Sequence, residues 1–391
     1  MPGKSEHFVP RHNLRPFCID ESKQIGIATI EPFRFIGSGS IDGQCQEDYF
    51  YGKSKIWDDL LTAYEDVIAP VLKEVCKKKS FDDKELGTLQ MMAVILHKRT
   101  RKAMEAAKVA PRYMAVKLIQ GAIKRGELPP CPDGEVTEEM FDFTNTAGSM
   151  IYQACICYMD MQTLGCKLLQ PCIGSHFITS DNPVVVLNQF CIGVDSNFNF
   201  AGFAKSGFQL LLPISPNLCL FFYDKKIYKA GNRRDQLVEI SKRDVEIVNA
   251  LQVQSAEKCL FFHSLKLEQE IQKLVFRYAG LRVPIRDLLQ VIPMIDGKEF
   301  LQAQKPSVKL PAIWDFCRHR KHIKFQPGDS RSPMMTELVN EFIRDVEKNP
   351  VGEDIFTRLK KFCKKFVDDL TSPKRRCDSA TRPSFHPPSL A

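Results

Sequence analysis

Phe208-Gln209-Leu210-Leu211-Leu212-Pro213-Ile214-Ser215-Pro216-Asn217-Leu218-Cys219-Leu220-Phe221-Phe222-Tyr223 is the stretch on which the architecture turns. A membrane helix needs about 20 uninterrupted apolar residues. The apolar run from Leu210 to Tyr223 is shorter than that and is broken by Pro213 and Pro216. Two short strands fit it better, Phe208 to Leu212 and Leu218 to Tyr223, with the prolines at the turn between them. Other β-prone runs flank the pair: Phe177 to Thr179, Val184 to Leu187, and Leu260 to His263. One helix interrupts them, from about Ser241 to Lys258, with Val245, Val248 and Leu251 at helical spacing.

Upstream the period changes from two to 3.6, and a helical block is expected from about 55 to 169. Ile56, Leu60, Tyr64, Val67, Val71 and Val75 form one apolar stripe, which Pro70 is expected to kink or split. Ser80 with Asp83 predicts the cap of a second helix, a shorter helix is expected after Pro111, and Thr137 with Glu138 and Glu139 predicts the start of a long one. Before the block, Ile25 to Ile30 and Phe33 to Ile36 read as extended. Strands segregated from helices indicate an α+β fold, an antiparallel helical block packed on a small mixed or antiparallel sheet. The domain reading is a main α+β domain over 1–280, a C-terminal helical extension over 281–370, and a disordered basic tail over 371–391. The extension rests on two amphipathic helices, one using Met335, Leu338 and Phe342, the other Ile355, Leu359 and Phe362.

The 391 residues are 44% apolar and 26% charged, which excludes wholesale disorder. Fourteen cysteines are scattered with no Cys-x-x-Cys pair, and the first twenty residues lack the apolar core of a secretory leader. These features predict reduced thiols and an intracellular, cytoplasmic protein. Cys317, His319 and His322 match no standard zinc spacing and read as a solvated basic loop. Net charge is +8, and the segment from Lys73 to Arg125 carries fourteen Lys/Arg against five Asp/Glu. Such a face suits nucleic acid or another polyanion, although charge runs of this kind are more often solvated helix surface.

Several separated patches resemble one family. They are His7-Phe8-Val9-Pro10-Arg11 with Leu14 and Phe17, Glu47-Asp48-Tyr49-Phe50-Tyr51-Gly52, Glu65, Arg99-Thr100, Phe177 through Val184, Leu212 through Pro216, and Val248-Asn249 with Gln252. Together, over roughly residues 5–265, they resemble the bacterial and fungal domain of unknown function 4238. The resemblance implies no activity, because that family has none established.

Within these patches, His7 and Asp181 are the candidate catalytic residues. Imidazole works as acid, base or metal ligand near neutral pH, and a carboxylate at a strand end binds a hard cation or orients a histidine. Arg11, Arg99, Ser180, Asn182 and Asn249 are the candidate binding residues. For each a structural role competes: a turn for Ser180-Asp181-Asn182-Pro183, a clasp between Arg99 and Glu47 or Glu65, and a fixing hydrogen bond for His7. No phosphate-binding glycine loop, nucleophile elbow or His-Glu-x-x-His occurs. Two functions therefore compete. One is a hydrolase acting on phosphodiesters or nucleic acid, with the metal ligands unknown and a divalent cation as candidate cofactor. The other is a non-enzymatic module that binds nucleic acid or protein through the basic helical face. A hydrolase requires His7, Asp181 and Arg99 to converge in one pocket, whereas a clasp buries them in mutual pairs.

Overall fold

The computed structural model describes residues 5–20, 22–53, 56–132, 134–141, 143, 146–191, 202–285, 289–293, 299–303, 314–320, 323–324 and 331. The chain opens with β1 (Ser5–His7), a single helical turn α1 (Arg11–Leu14), β2 (Gln24–Thr29), β3 (Arg34–Ser40) and β4 (Gln46–Asp48). Four helices follow: α2 (Ile56–Lys78), α3 (Asp83–Arg99), α4 (Arg101–Lys124) and α5 (Thr146–Met161). Next come β5 (Gly165–Pro171), β6 (Thr179–Ser180), β7 (Val185–Leu187), β8 (Gln209–Ser215), β9 (Leu218–Tyr223), β10 (Tyr228–Ala230) and β11 (Leu237–Ile240). The described chain closes with α6 (Lys242–Ser255), β12 (Cys259–Phe262), α7 (Glu268–Tyr278), β13 (Leu289–Pro293), β14 (Glu299–Ala303) and β15 (Cys317–His319). Helices in one block and small, mostly antiparallel sheets make the fold α+β.

The 208–223 stretch is the hairpin β8–β9, at the centre of a five-stranded sheet ordered β11-β5-β9-β8-β7. Leu210 faces Phe222 and Leu212 faces Leu220, and the register shifts between Pro213 and Ser215, where proline cannot donate to a ladder. Both strands are apolar along almost their whole length because both faces are covered. Leu211, Cys219 and Phe221 pack on Val245, Val248 and Leu251 of α6. Toward α2, the Cys76 thiol reaches the Ile214 carbonyl at 3.9 Å.

A second sheet, ordered β3-β2-β12-β6, packs on the other side of α6 through Ala250 and Val253, and on α7 through Ile271, Leu274 and Val275. Helix α6 thus lies between two apolar layers. Ser241 caps it by accepting from the Asp244 amide at 3.2 Å. Helix α3 starts in a capping box, with Asp82 accepting from the Glu85 amide and Glu85 accepting from the Asp82 amide, both at 2.8 Å.

Several expectations shift. The cap of α3 is Asp82 rather than Ser80 with Asp83. Helix α4 runs through Pro111 instead of starting after it, and α2 is assigned continuously through Pro70. Thr137 begins only a short 3-10 turn, Glu138–Met140, and the long helix starts at Thr146. Cys317 and His319 lie on β15, paired with β10, and Cys317 is buried, so this segment is not a solvated loop; His322 lies outside the described residues. The two expected C-terminal amphipathic helices and the basic tail also lie outside the described residues.

The chain divides into two compact units, 1–338 and 339–391. The first extends past the 280/281 boundary expected from the sequence. Trp314 is 1% exposed in the same core as Phe221 and Val248. Arg331 is buried, donates to Thr163 Oγ1 at 2.8 Å and the Lys205 carbonyl at 3.0 Å, and lies over the Phe208 ring.

Candidate functional site

A cleft of about 780 Å³ opens between the N-terminal segment and α2. One wall is β1, α1 and the turn after it, contributing Glu6, His7, Arg11, His12 and Arg15. The other is one face of α2, where Asp58, Thr62, Glu65, Asp66, Ala69 and Lys73 recur at helical spacing. Arg99 at the end of α3 also lines the cleft.

Arg99 joins the walls. It is 5% exposed, and each of its nitrogens has a partner. Nη1 donates to Glu65 Oε1 at 2.6 Å, Nη2 to the His7 carbonyl at 2.7 Å, and Nε to the Tyr51 hydroxyl at 2.8 Å. Tyr51 Oη in turn donates to the same His7 carbonyl at 3.0 Å, so the backbone at His7 is held by two donors. Burial pushes the Tyr51 phenol up to about 12, which keeps it a donor. Of the two partners the sequence allowed Arg99, the structure selects Glu65; Glu47 pairs with Arg101 at 3.7 Å.

The His7 ring lies 3.3 Å from the Asp42 carbonyl through Nε2, and Arg11 Nε is 3.4 Å from that same nitrogen. One nitrogen cannot serve both contacts, because donating to a carbonyl requires its proton and accepting from arginine requires its lone pair. Arg11 Nε also lies 3.2 Å from Asp42 Oδ1 in an ion pair that holds the guanidinium without the imidazole, and the carbonyl is the nearer of the two contacts to Nε2. We therefore assign the proton to Nε2, which leaves the Nδ1 lone pair free. Burial, then Arg11, lowers the pKa of His7 below its ordinary value, with the Asp42 carbonyl partly opposing. His12, its Nδ1 at 3.9 Å from Glu65 Oε2, is pushed down to about 4 by burial and then by Arg99. Both imidazoles are neutral at pH 7.

The other nominated residues lie elsewhere. Asp181, grouped with His7 on sequence, is not among the residues lining the cleft; its carboxylate accepts from the amides of Glu257, Lys258 and Cys259 at 2.8, 2.7 and 3.0 Å. Its pKa is raised by burial against the pull of those amides. Ser180 donates to Gln252 Oε1 at 2.9 Å. Asn182 accepts from Thr100 Oγ1 at 2.7 Å and donates to the Ser255 carbonyl at 3.0 Å. Asn249 accepts from the Ile178 amide at 3.0 Å and donates to the His176 carbonyl at 2.9 Å. These residues strap the 176–183 segment to α6 and to the α3–α4 corner. Asp181→Ala is expected to lower stability by about 3 kcal/mol, since three partly buried amides lose their acceptor at about 1 kcal/mol each. Urea denaturation with an unchanged slope checks it; a loss below about 1 kcal/mol would exclude this role.

His7, Arg11 and Arg99 thus meet in the cleft, whereas Ser180, Asp181, Asn182 and Asn249 do not line it. Glu6, His12, Arg15, Asp58, Asp66 and Lys73 line it without having been nominated. Their signal was available in part: the polar positions of α2 repeat at helical spacing, but so does any solvated face. The basic run from 73 to 125 is partly neutralised. Lys78 pairs with Glu85, Arg99 with Glu65, Arg101 with Glu47 and Glu257, Lys108 and Arg112 with Glu105, and Arg125 with Glu127. Among the described residues no group of three or more His, Cys, Asp or Glu side chains is placed to hold a metal ion, so a divalent cation here would need ligands from its substrate as well. No described helix is long and apolar enough to cross a membrane.

Residues 6–266 match the family model described as "Protein of unknown function (DUF4238)". No curated protein and no solved structure matches the chain.

Proposed function

The chain belongs to the DUF4238 family of proteins of unknown function, and we propose that it is a hydrolase acting on phosphodiesters with His7 as proton acceptor. Of the three residues whose convergence the sequence reading asked of a hydrolase, His7 and Arg99 line the cleft and Asp181 is bound to backbone amides away from it, so the reading is carried by the His7 imidazole alone: neutral, fixed through its backbone by Arg99 and Tyr51, and set beside Arg11 in a cleft of ligand size. Arg11 and Arg15 supply positive charge on the same wall for the ester's anionic oxygens. His7 Nδ1 takes a proton from water as its oxygen bonds to phosphorus. The phosphorus bond to one ester oxygen breaks, and that leaving oxygen receives a proton from the imidazolium through solvent, restoring neutral His7. The pairing of many α3–α4 cations leaves the nucleic-acid-binding alternative with less free charge than the sequence count implies.

The test incubates the full chain with single- and double-stranded DNA and RNA and with small phosphodiesters, in Mg²⁺, Mn²⁺ or EDTA. His7→Ala, shown to be folded, is expected to lower kcat by about 10²–10⁴-fold, the usual contribution of a general base. Because burial and Arg11 hold the imidazole pKa down, the base form already dominates at pH 6.5. Activity is therefore expected to fall only as pH drops below that value, and an acidic limb centred above pH 7 would assign the base to another group. Salt-sensitive retention of nucleic acid without turnover would favour the binding module.

A further inference from the structure

The β10–β15 ribbon sets like charge against like. Its register places Lys229 directly opposite Arg318, both exposed on the outer face, while Tyr228, Ala230 and Cys317 turn inward and are buried. Like charges directly opposite each other on neighbouring strands destabilise a sheet. The ends of the ribbon add to that charge rather than offset it. At one end the Arg320 amide donates to the Ile227 carbonyl at 2.8 Å, which brings Arg320 beside the exposed Lys225 and Lys226. At the other the Gly231 amide donates to the Phe316 carbonyl at 2.9 Å, and the exposed Arg233 and Arg234 follow in the loop. Among the described residues none of these side chains has an ion pair or a hydrogen bond. The neighbouring carboxylates are engaged elsewhere. Asp224 is buried and accepts from the Gly207 and Lys226 amides at 3.0 and 2.9 Å, Asp315 pairs with Arg243 at 3.1 Å, and Asp235 acts on Lys167. The inner face is fixed: Tyr228 Oη donates to the Gly207 carbonyl at 3.0 Å and accepts from the Phe190 amide at 2.8 Å. The core thus holds the repelling pair from behind, and nothing described neutralises it in front.

We infer that the outer face of this ribbon binds double-stranded nucleic acid through its phosphates. The paired segment from Ile227 to Gly231 is about 13 Å long, the length over which one strand of a duplex presents about four phosphates. Arginine forks match phosphate oxygens bidentately, and a bound phosphate relieves the repulsion between Lys229 and Arg318. No exposed large apolar side chain among the described residues lies on the ribbon or the loops beside it. The face therefore offers nothing to insert into a lipid surface or to stack on an unpaired base, and the backbone of a duplex needs neither. None of these residues lines the cleft, so the inference stands whether or not the cleft hydrolyses phosphodiesters.

The experiment measures fluorescence anisotropy of short labelled DNA and RNA duplexes with the full chain, in EDTA, over a salt series. Log affinity is expected to fall linearly with log salt at a slope of about −4, for about four phosphates neutralised. Lys229→Gln combined with Arg318→Gln is expected to weaken binding about 10-fold and to reduce that slope by about 2, alike for unrelated duplex sequences. Both positions are exposed and the change removes a repulsion, so circular dichroism should be unchanged. Lys108→Gln combined with Arg112→Gln, on α4 where both cations hold Glu105, is expected to leave the slope as it is. A slope near zero, or binding that the ribbon variant leaves intact, overturns the inference; loss in the α4 variant alone moves the contact to the helical block and overturns it too. Tighter binding of single strands overturns the duplex. Retention on phosphatidylserine vesicles without duplex binding assigns the face to lipid and overturns the nucleic acid.

Discussion

Arg99→Met is expected to lower the unfolding free energy by about 3–5 kcal/mol, the loss seen when one partner of a buried ion pair is removed. The substitution keeps much of the volume but leaves Glu65 without its cation and removes one of the two donors holding the His7 carbonyl. The Tyr51 hydroxyl loses its charged donor at the same time. Adding Glu65→Gln should restore part of the stability, because the second change removes the charge that the first leaves unpaired. Turnover should not recover with it, since the carbonyl of His7 still lacks its second donor. The double-mutant cycle in urea, run beside kcat, separates the two roles. Stability within about 1 kcal/mol of wild type for Arg99→Met would show that the arginine does not clasp the fold.

The larger effect comes from the other end of the chain. A protein ending at Arg282 contains the whole segment that matches the family, yet it is expected not to reach a cooperative native state. It loses Trp314 and Cys317 from the core shared with Phe221 and Val248, and Arg331 from its bonds to Thr163 and Lys205. Deleting a buried tryptophan side chain alone costs about 3–5 kcal/mol, against a total stability of about 5–15 kcal/mol for a typical domain. Loss of near-ultraviolet circular dichroism with retained far-ultraviolet signal would mark the collapsed, unpacked state expected. A protein ending at Leu338, the limit of the first compact unit, should unfold as one cooperative transition. Cooperative unfolding of the shorter protein would show that the later segment only decorates a complete core.

The secondary structure was most legible where apolar residues set the period. The β8–β9 hairpin, β12 and α6 fall within a few residues of the runs that predict them, because strands and helices covered on both sides are written as apolar stretches. Proline does not break the helices: α2 is not split at Pro70, and α4 does not wait for Pro111 to begin. Pro70 and Pro111 each remove one helix hydrogen bond, but the apolar stripe of α2 and the packing of α4 outweigh that local preference. Among polar residues, Arg99, Glu65 and His7 were legible because an arginine at the end of an apolar face has few ways to be satisfied. Ser180, Asp181, Asn182 and Asn249 carry the same residue types, but a buried network that holds a loop to a helix uses the chemistry of an active site. Only the coordinates of their partners tell the two apart. Glu6 and the α2 aspartates were hidden for the opposite reason, since they look like ordinary surface until α1 is seen to face them.

The knot at Arg99 ties together positions 7, 51, 65 and 99, drawn from a strand, a loop and two helices. Position 7 contributes a backbone carbonyl, which any residue supplies, so the side chains at 51, 65 and 99 are the groups that cannot be exchanged alone without leaving a charge or a polar atom unsatisfied. Such a set is inherited as one character: across descendants of this chain those three positions are free to drift only in concert, and a lineage that has changed one of them will carry the marks of the change at the others.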